Sequence, residues 1–238
     1  MVENARTPDD PLAMASFIKI EHLHKRYGDH VIIDDLSLEI QAGEIVVIQG
    51  PSGIGKSTFL RCMTFLDPFQ KGTVHVGPIV AQAEMDEVKN RAVILALREQ
   101  LGYVFQFFNL FPHLTVLANL MIGPTRVLKE PPKKARAEAL ALLRRVGLSE
   151  KADAYPNALS GGQQQRIAVA RALAMHPKGI LFDEPTSSLD PTMKAEIISV
   201  MADFARDGLT MLIVTHEPEV VRRFATRVIT FGEKCQIQ

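Results

Sequence analysis

Residues 50–58 read GPSGIGKST and follow the apolar segment EIVVI. The glycines let consecutive backbone N–H groups turn inward around a phosphate, and the positive end of the following helix favours an anion there. Lys56 is placed to reach the outer phosphates, and Ser57 is placed to ligate magnesium. This segment therefore predicts a nucleotide-binding phosphate loop. The other residues expected to contact the nucleotide are Gly50, Pro51, Ser52, Gly53, Gly55 and Thr58.

The strand that feeds this loop, residues 44–50, is apolar almost throughout, as are residues 179–184 and 210–216. Such strands are typical of a parallel sheet that helices cover on both faces. Residues 17–27 and 31–40 instead alternate apolar and polar side chains around Gly-Asp-His, which predicts two antiparallel strands. The expected fold class is α/β, a P-loop NTPase with a mostly parallel central sheet and an antiparallel β subdomain.

The middle of the chain, roughly residues 84–175, is mostly helical in its sequence pattern. KKARAEALALLRRVG (133–147) places Ala139, Leu143 and Val146 on one face, after two prolines that mark its start. These patterns predict a helical subdomain inserted into the sheet domain.

Two carboxylates, Asp183 and Glu184, end the buried strand GILFDE. We expect them beside the strand that feeds the phosphate loop, because ligands of parallel sheets bind at the carboxyl ends of the strands. Asp183 would hold Mg²⁺ through water, and Glu184 would orient or deprotonate an attacking water. A solvated loop is the ordinary alternative for an acidic pair, and the neighbouring phosphate loop favours catalysis here.

Two further polar residues follow apolar strands and face the same edge of the predicted sheet. Gln106 comes after GYVF, and its amide is expected to bond the attacking water or the metal. His216 ends TMLIVTH and is expected to contact the terminal phosphate. Taken alone, each is more often an ordinary loop or strand-end residue. Their position relative to the phosphate loop favours a catalytic role for both.

A second glycine-rich turn, LSGGQQQR at 159–166, opens an amphipathic helix with Ser160 as its N-cap. An ordinary cap on a buried helix is one interpretation. Gly161 and Gly162 favour another, because glycine costs about 1 kcal/mol relative to alanine in a helix unless something must approach the backbone.

A helix N-terminus of this kind can also bind phosphate. Since the chain has one lysine-bearing phosphate loop, we expect LSGGQ to serve the nucleotide of a second chain. A two-fold dimer would then enclose two nucleotides at one interface. Ser160, the two glycines and Gln163 would close each site around the γ-phosphate.

These motifs occur in a fixed order: GPSGIGKST, Gln106, LSGGQQQR, ILFDEPTSSLD and His216. In this order and spacing they resemble the nucleotide-binding subunits of ATP-binding cassette (ABC) transporters. The resemblance implies a single ABC ATPase domain at 17–238, with a helical subdomain at about 107–175. It also implies that Tyr27 stacks on adenine and that Asp190 couples the two sites across the dimer. Residues 1–16, with two prolines, three carboxylates and no long apolar stretch, are expected to form a flexible tail.

VFQFFNLFPHLTVLANL and KADAYPNALSGGQQQRIAVARALAM are similar to the ABC subfamily that imports polar amino acids. A cassette ATPase subunit for another solute or for lipoprotein is the alternative. This similarity implies transmembrane permease subunits, a second nucleotide-binding subunit, expected as a homodimer, and indirectly a solute-binding protein. It places the chain at the cytoplasmic face of the cell membrane as a peripheral subunit. Gln49, Ile54 and Ser188 depart from the usual family residues, and none of them removes a catalytic group.

The loop QFFNLFPHLTV (106–116) is more apolar than a solvated loop should be. Docking on the membrane partner and burial against the helical subdomain are two explanations of its phenylalanines, and some rings are expected to do both.

Composition and motif content weigh against other classes of protein. Lys and Arg together number 27, and Asp and Glu together also number 27. The chain therefore has no net positive charge that would favour nucleic acid as a partner. A chromosome-maintenance or DNA-repair cassette usually carries a long coiled coil or zinc-binding cysteines within it, and a ribosome-associated one carries two cassettes. A GTPase is disfavoured because no Asn-Lys-x-Asp motif occurs.

Overall fold

The computed structural model of this chain describes residues 16–237, so the tail predicted for 1–16 lies outside the described residues except for its last position. The strands are β1 (Ile18–Tyr27), β2 (His30–Ile40), β3 (Ile45–Gln49), β4 (Lys71–Val76), β5 (Ile79–Gln82), β6 (Leu101–Val104), β7 (Gly179–Asp183), β8 (Thr210–Val214) and β9 (Arg227–Thr230). The helices are α1 (Lys56–Met63), α2 (Arg91–Gln100), α3 (Val116–Arg126), α4 (Pro132–Arg145), α5 (Gly161–Leu173), α6 (Pro191–Arg206) and α7 (Pro218–Phe224).

The central sheet has the strand order β6-β7-β8-β3-β9, and all its pairs are parallel. Every residue of β7 and β8 is buried, which explains why these strands are apolar almost throughout, with Asp183 and Thr210 as the exceptions. The predicted parallel sheet is confirmed. The expected neighbourhood of β7 and β3 is wrong in detail, because β8 lies between them. Helix α1, which follows β3, nevertheless contacts β7.

The second sheet has the order β2-β1-β4-β5 and is antiparallel. The predicted pairing of β1 with β2 is confirmed, and β4 and β5 extend the sheet by two strands that sequence analysis missed. Gly77, with φ 53°, forms the turn between those two strands. One hydrophobic cluster fills the space between this sheet, the central sheet and α1.

Helices α3, α4 and α5 lie on the other side of the central sheet and share a second hydrophobic cluster with α6. Helix α4 matches the predicted helix, with Ala139 and Leu143 buried along it and Val146 buried just after its end. Gly147, with φ 68°, follows that end. Between residues 84 and 175 the structure also contains α2 and β6. Across residues 16–237, each helix is too short or too polar to span a bilayer.

Candidate active site

The phosphate loop turns sharply between β3 and α1, and glycines make this turn possible. Gly50 has φ 143°, and a side chain there would place its Cβ 2.5 Å from the carbonyl oxygen of Phe231. Gly55 has φ 111°, and its Cβ would lie 2.5 Å from Cγ2 of Ile32. At both positions the backbone conformation and the close packing therefore require glycine.

Lys56 begins α1 and folds its buried side chain back over the loop. Its Nζ donates hydrogen bonds to the carbonyls of Gly50 at 2.8 Å and Pro51 at 2.9 Å. The first turn of α1 has neither a side-chain cap nor an acidic residue. The helix N-terminus and one ammonium thus point positive charge at the same loop, an arrangement that suits phosphate.

Ser57 and Asp183 meet where α1 crosses the end of β7. Ser57 Oγ donates to Oδ1 of Asp183 at 2.6 Å, and Asp183 is only 7% exposed. A hydroxyl beside a carboxylate is the set of hard oxygen donors that Mg²⁺ prefers. The residues present at this position therefore fit the metal that the sequence predicted.

Tyr103 is a part of this cluster that sequence analysis missed. Its hydroxyl donates to Oδ2 of Asp183 at 3.0 Å. Burial, and then the negative charge of Asp183, raise the pKa of Tyr103 above its ordinary value, so the phenol keeps its proton. The available signal was its place in β6, three residues before Gln106.

Glu184 follows β7 and faces His216, which follows β8. Glu184 Oε1 lies 3.9 Å from His216 Nε2. Glu184 has φ 46°, a left-handed conformation that non-glycine residues adopt mainly where the surrounding structure enforces it. A cavity of about 40 Å³ opens between the two side chains, which is enough room for a water molecule.

Gln106 is exposed and reaches the loop after Glu184. Its Nε2 donates to Oγ of Ser187 at 3.2 Å, and Ser187 Oγ donates to the carbonyl of Glu184 at 3.1 Å. Gln106 is thus connected to the proposed base through Ser187. The structure brings Lys56, Ser57, Asp183, Glu184, His216 and Gln106 to the carboxyl-end edge of the central sheet.

The turn at 159–163 forms a complete capping box at the start of α5. Ser160 Oγ accepts from the N–H of Gln163 at 3.3 Å, and the Gln163 side chain accepts from the N–H of Ser160 at 3.0 Å. Ser160 itself is exposed. Its hydroxyl can therefore be reached from outside the chain.

Glycine is required at position 162 for a packing reason that the sequence did not predict. A Cβ there would lie 2.9 Å from Cβ and Cγ of Met193 on α6, so close packing of the two helices excludes a side chain. At Gly161 the nearest atoms to a Cβ lie at 3.4 Å, an ordinary contact distance. Of these two glycines, packing therefore explains Gly162 and leaves Gly161 unexplained.

Asp190 lies close to this second turn through the same methionine. Its Oδ1 accepts from the N–H of Met193 at 2.9 Å as the N-cap of α6, and the N–H of Gly162 lies 3.2 Å from Sδ of Met193. Ser160 and Asp190 are both exposed. They are connected through Met193 at the start of helices α5 and α6.

Tyr27 ends β1 and is 45% exposed. Its hydroxyl donates to Oδ2 of Asp67 at 2.7 Å, and Lys25 Nζ lies 4.4 Å from the centre of its ring. One face of the ring is therefore in contact with a cation. The predicted stacking on adenine would have to use the opposite face.

A cavity of about 450 Å³ adjoins the phosphate loop, within the size range of small-molecule sites. Ile54, one of the departures from the family pattern, lines it. The complete lining is Asp29, His30, Val31, Ile32, Gly53, Ile54, Glu233 and Lys234.

The sequence profile of the family described as "ABC transporter" matches residues 33–187 of this chain. The chain belongs to the ABC transporter family. Its nucleotide-binding loop, its parallel sheet and its antiparallel sheet are thus those of an ABC ATPase that uses ATP.

Two relatives of this ABC chain come from Bacillus subtilis (strain 168). The glutamine transport ATP-binding protein GlnQ is 44% identical over 216 residues, covering 91% of this chain and 87% of the relative. The arginine transport ATP-binding protein ArtM is 48% identical over 212 residues, covering 89% and 86%. Among solved structures, the ATP-binding cassette MJ0796, dimeric and bound to ADP and Pi, is 35% identical with a TM-score of 0.79 over 93% of this chain and 96% of that one.

Proposed function

We propose that this chain is the ATP-hydrolysing subunit of an importer for polar amino acids. The contact between Ser57 and Asp183 carries the catalytic part, because it joins the phosphate loop to a carboxylate that suits Mg²⁺. The glutamine and arginine relatives support the class of solute.

In this proposal each residue at the carboxyl-end edge of the central sheet has a separate role in ATP hydrolysis. The ammonium of Lys56 would neutralise the outer phosphates, and Ser57 and Asp183 would hold Mg²⁺, with Gln106 as the third residue assigned to the metal or the attacking water. Bound Mg²⁺ offsets the phosphate charge. Glu184 orients a water and accepts its proton, while His216 donates to the terminal phosphate. The left-handed Glu184 and the cavity next to it support this division.

We also propose that the working form is a homodimer in which each chain completes the other's site. Ser160, Gly161, Gly162 and Gln163 of one chain would cover the phosphate loop of its partner, with Asp190 next to them. The exposure of Ser160 and Asp190, and their connection through Met193, support a shared surface. The related cassette MJ0796 is dimeric with ADP and Pi bound, which supports a dimeric working form.

The aromatic loop after Gln106 supports docking on transmembrane permease subunits. Phe107 is 69% and Phe111 40% exposed, whereas Phe108 and Leu110 pack against the second hydrophobic cluster. The buried amide of Asn119 accepts from the N–H of Phe111 and donates to carbonyls of the same loop. In this loop Phe108 is therefore packed against the protein, whereas Phe107 and Phe111 are exposed. An exposed pair of aromatic rings on an ordered loop suits a docking surface.

The permease would hold this subunit at the cytoplasmic face of the cell membrane, and a solute-binding protein would deliver the amino acid from the other side. A role with nucleic acid is not part of the proposal, since the charges of the chain balance. The test is reconstitution with the permease subunits and the solute-binding protein of a polar amino acid importer. ATP-dependent uptake of glutamine, arginine or glutamate is expected, and hydrolysis without uptake of any of them would contradict the solute class.

A further inference from the structure

Asp183 receives one hydroxyl on each of its two oxygens. Ser57 donates to Oδ1 at 2.6 Å and Tyr103 donates to Oδ2 at 3.0 Å. A carboxylate this deeply buried needs such donors, because water no longer solvates it. Ser57 already belongs to the proposed metal site, whereas Tyr103 has no role in it.

We propose that Tyr103 is a positioning residue that fixes the Asp183 carboxylate for Mg²⁺. The proposal rests on the proposed function, which assigns Asp183 to the metal. Ser57 and Asp183 would hold the same ion, so the hydroxyl of Ser57 has two competing partners. The Tyr103 hydroxyl is not a proposed ligand and keeps its bond to Oδ2 while Oδ1 and Ser57 face the ion. Outer partners of this kind orient metal-binding carboxylates.

The fold holds the Tyr103 ring in the position that this role needs. Tyr103 pairs with Leu181 in the register of β6 and β7, and Asp183 lies two residues further along β7 on the same face. The ring of Phe105 lies 4.4 Å from the ring of Tyr103, centre to centre. The direction of the hydroxyl is therefore set by strand register and ring packing.

A purely structural hydroxyl would predict something different from a positioning one. If the Tyr103 hydroxyl only satisfied a buried carboxylate, its loss would lower nucleotide affinity equally with and without Mg²⁺. If it orients Asp183, its loss would weaken the steps that need the ion and leave nucleotide binding without the ion intact.

The experiment compares the full chain with Tyr103→Phe and with Tyr155→Phe, a matched change at a tyrosine that is 48% exposed. Binding of a fluorescent ATP analogue is measured in EDTA and across a Mg²⁺ titration, and ATP hydrolysis is measured over the same titration. For Tyr103→Phe we expect the half-saturating Mg²⁺ concentration to rise roughly 10-fold. Affinity in EDTA should stay within about 2-fold of wild type, and Tyr155→Phe should match wild type throughout.

Three results would overturn the proposal or its basis, and they are distinguishable. An unchanged Mg²⁺ dependence in Tyr103→Phe removes the positioning role. An equal loss of affinity in EDTA and in Mg²⁺ assigns Tyr103 to folding instead. A wild-type chain whose hydrolysis ignores Mg²⁺ contradicts the proposed function itself, whatever Tyr103 does.

Discussion

Oε1 of Glu184 lies 3.9 Å from Nε2 of His216, across the ends of the neighbouring strands β7 and β8. This distance is too long for a hydrogen bond and leaves the two groups on either side of a small cavity. A water or a phosphate oxygen in that cavity would be within reach of both side chains.

His216→Ala should therefore slow ATP hydrolysis about 100-fold, the usual loss when one positioned acid–base or polar group is removed. ATP affinity should change by less than about 3-fold, because Lys56 and the loop remain. Single-turnover hydrolysis and equilibrium binding measure the two quantities. His22→Ala, at a histidine with an exposed side chain, is the control. Equal hydrolysis rates in the two variants would remove His216 from the site.

Lys56→Ala should weaken ATP binding itself by roughly 10-fold or more, since charge-assisted hydrogen bonds contribute about 1.5–3 kcal/mol each. The carbonyls of Gly50 and Pro51 also lose their donor, so the loop becomes less ordered. Titration calorimetry with ATP measures the loss. Lys71→Ala removes an exposed lysine and should bind like wild type. ATP affinity that is unchanged in Lys56→Ala would contradict the role of this ammonium.

Alanine substitutions at Gly161 and Gly162 should have different effects on the stability of the protein. Gly162→Ala places a Cβ 2.9 Å from Met193 and should lower the free energy of unfolding by about 1–3 kcal/mol. Gly161→Ala meets ordinary contacts, so its stability should stay equal or rise by up to about 1 kcal/mol. In the proposed dimer its hydrolysis should fall nonetheless, because Gly161 belongs to the turn that would cover the partner's phosphate loop.

Urea unfolding and ATPase assays on the two variants check these expectations. Met193→Ala in the Gly162→Ala background should recover part of the lost stability, since the two residues are in contact. Equal stability losses at both glycines would show that Met193 is not the cause.

Cys62 and Cys235 should resist thiol reagents in the folded protein. Burial raises the pKa of each to about 12, so the reactive thiolate is scarce at pH 8. Unfolded cysteines titrate near pH 8.5, so the unfolded state loses these protons first as the pH rises. Stability should therefore fall between about pH 9 and pH 12.

Labelling with a chromogenic disulfide reagent, with and without denaturant, checks the reactivity. Two thiols should react only after unfolding, and Cys62→Ala and Cys235→Ala should each leave one. Rapid labelling of the native protein at pH 8 would contradict the burial of these side chains.

Local sequence patterns were sufficient for the strands β3, β7 and β8 and for the phosphate loop. Burial on both faces leaves a continuous apolar run, and the loop needs glycine for its backbone conformation, so both are visible in neighbouring residues. The short strands β4 and β5 were missed because β4 is stabilised mainly by pairing with β1, which is distant in sequence, and β5 is stabilised by pairing with β4.

The missed parts of the site also depend on distant contacts. Tyr103 reaches Asp183 only because β6 lies beside β7, and Gly162 is excluded from bearing a side chain only by Met193 on α6. Neither contact can be predicted from the residues adjacent in sequence. Motif spacing predicted the residues proposed to serve the chemistry, and the packing of strands and helices identified residues in contact with them.

In the proposed homodimer, two copies of this chain complete each other's ATP sites. Glu184→Gln should keep ATP affinity, slow hydrolysis at least about 100-fold and accumulate an ATP-bound dimer in the presence of Mg²⁺. Glu150→Gln, at an exposed glutamate, is the matched control. Size-exclusion chromatography with light scattering measures the mass directly. We predict a dimer for Glu184→Gln in ATP and Mg²⁺ and a monomer without nucleotide, whereas a strict monomer under both conditions would contradict the shared site.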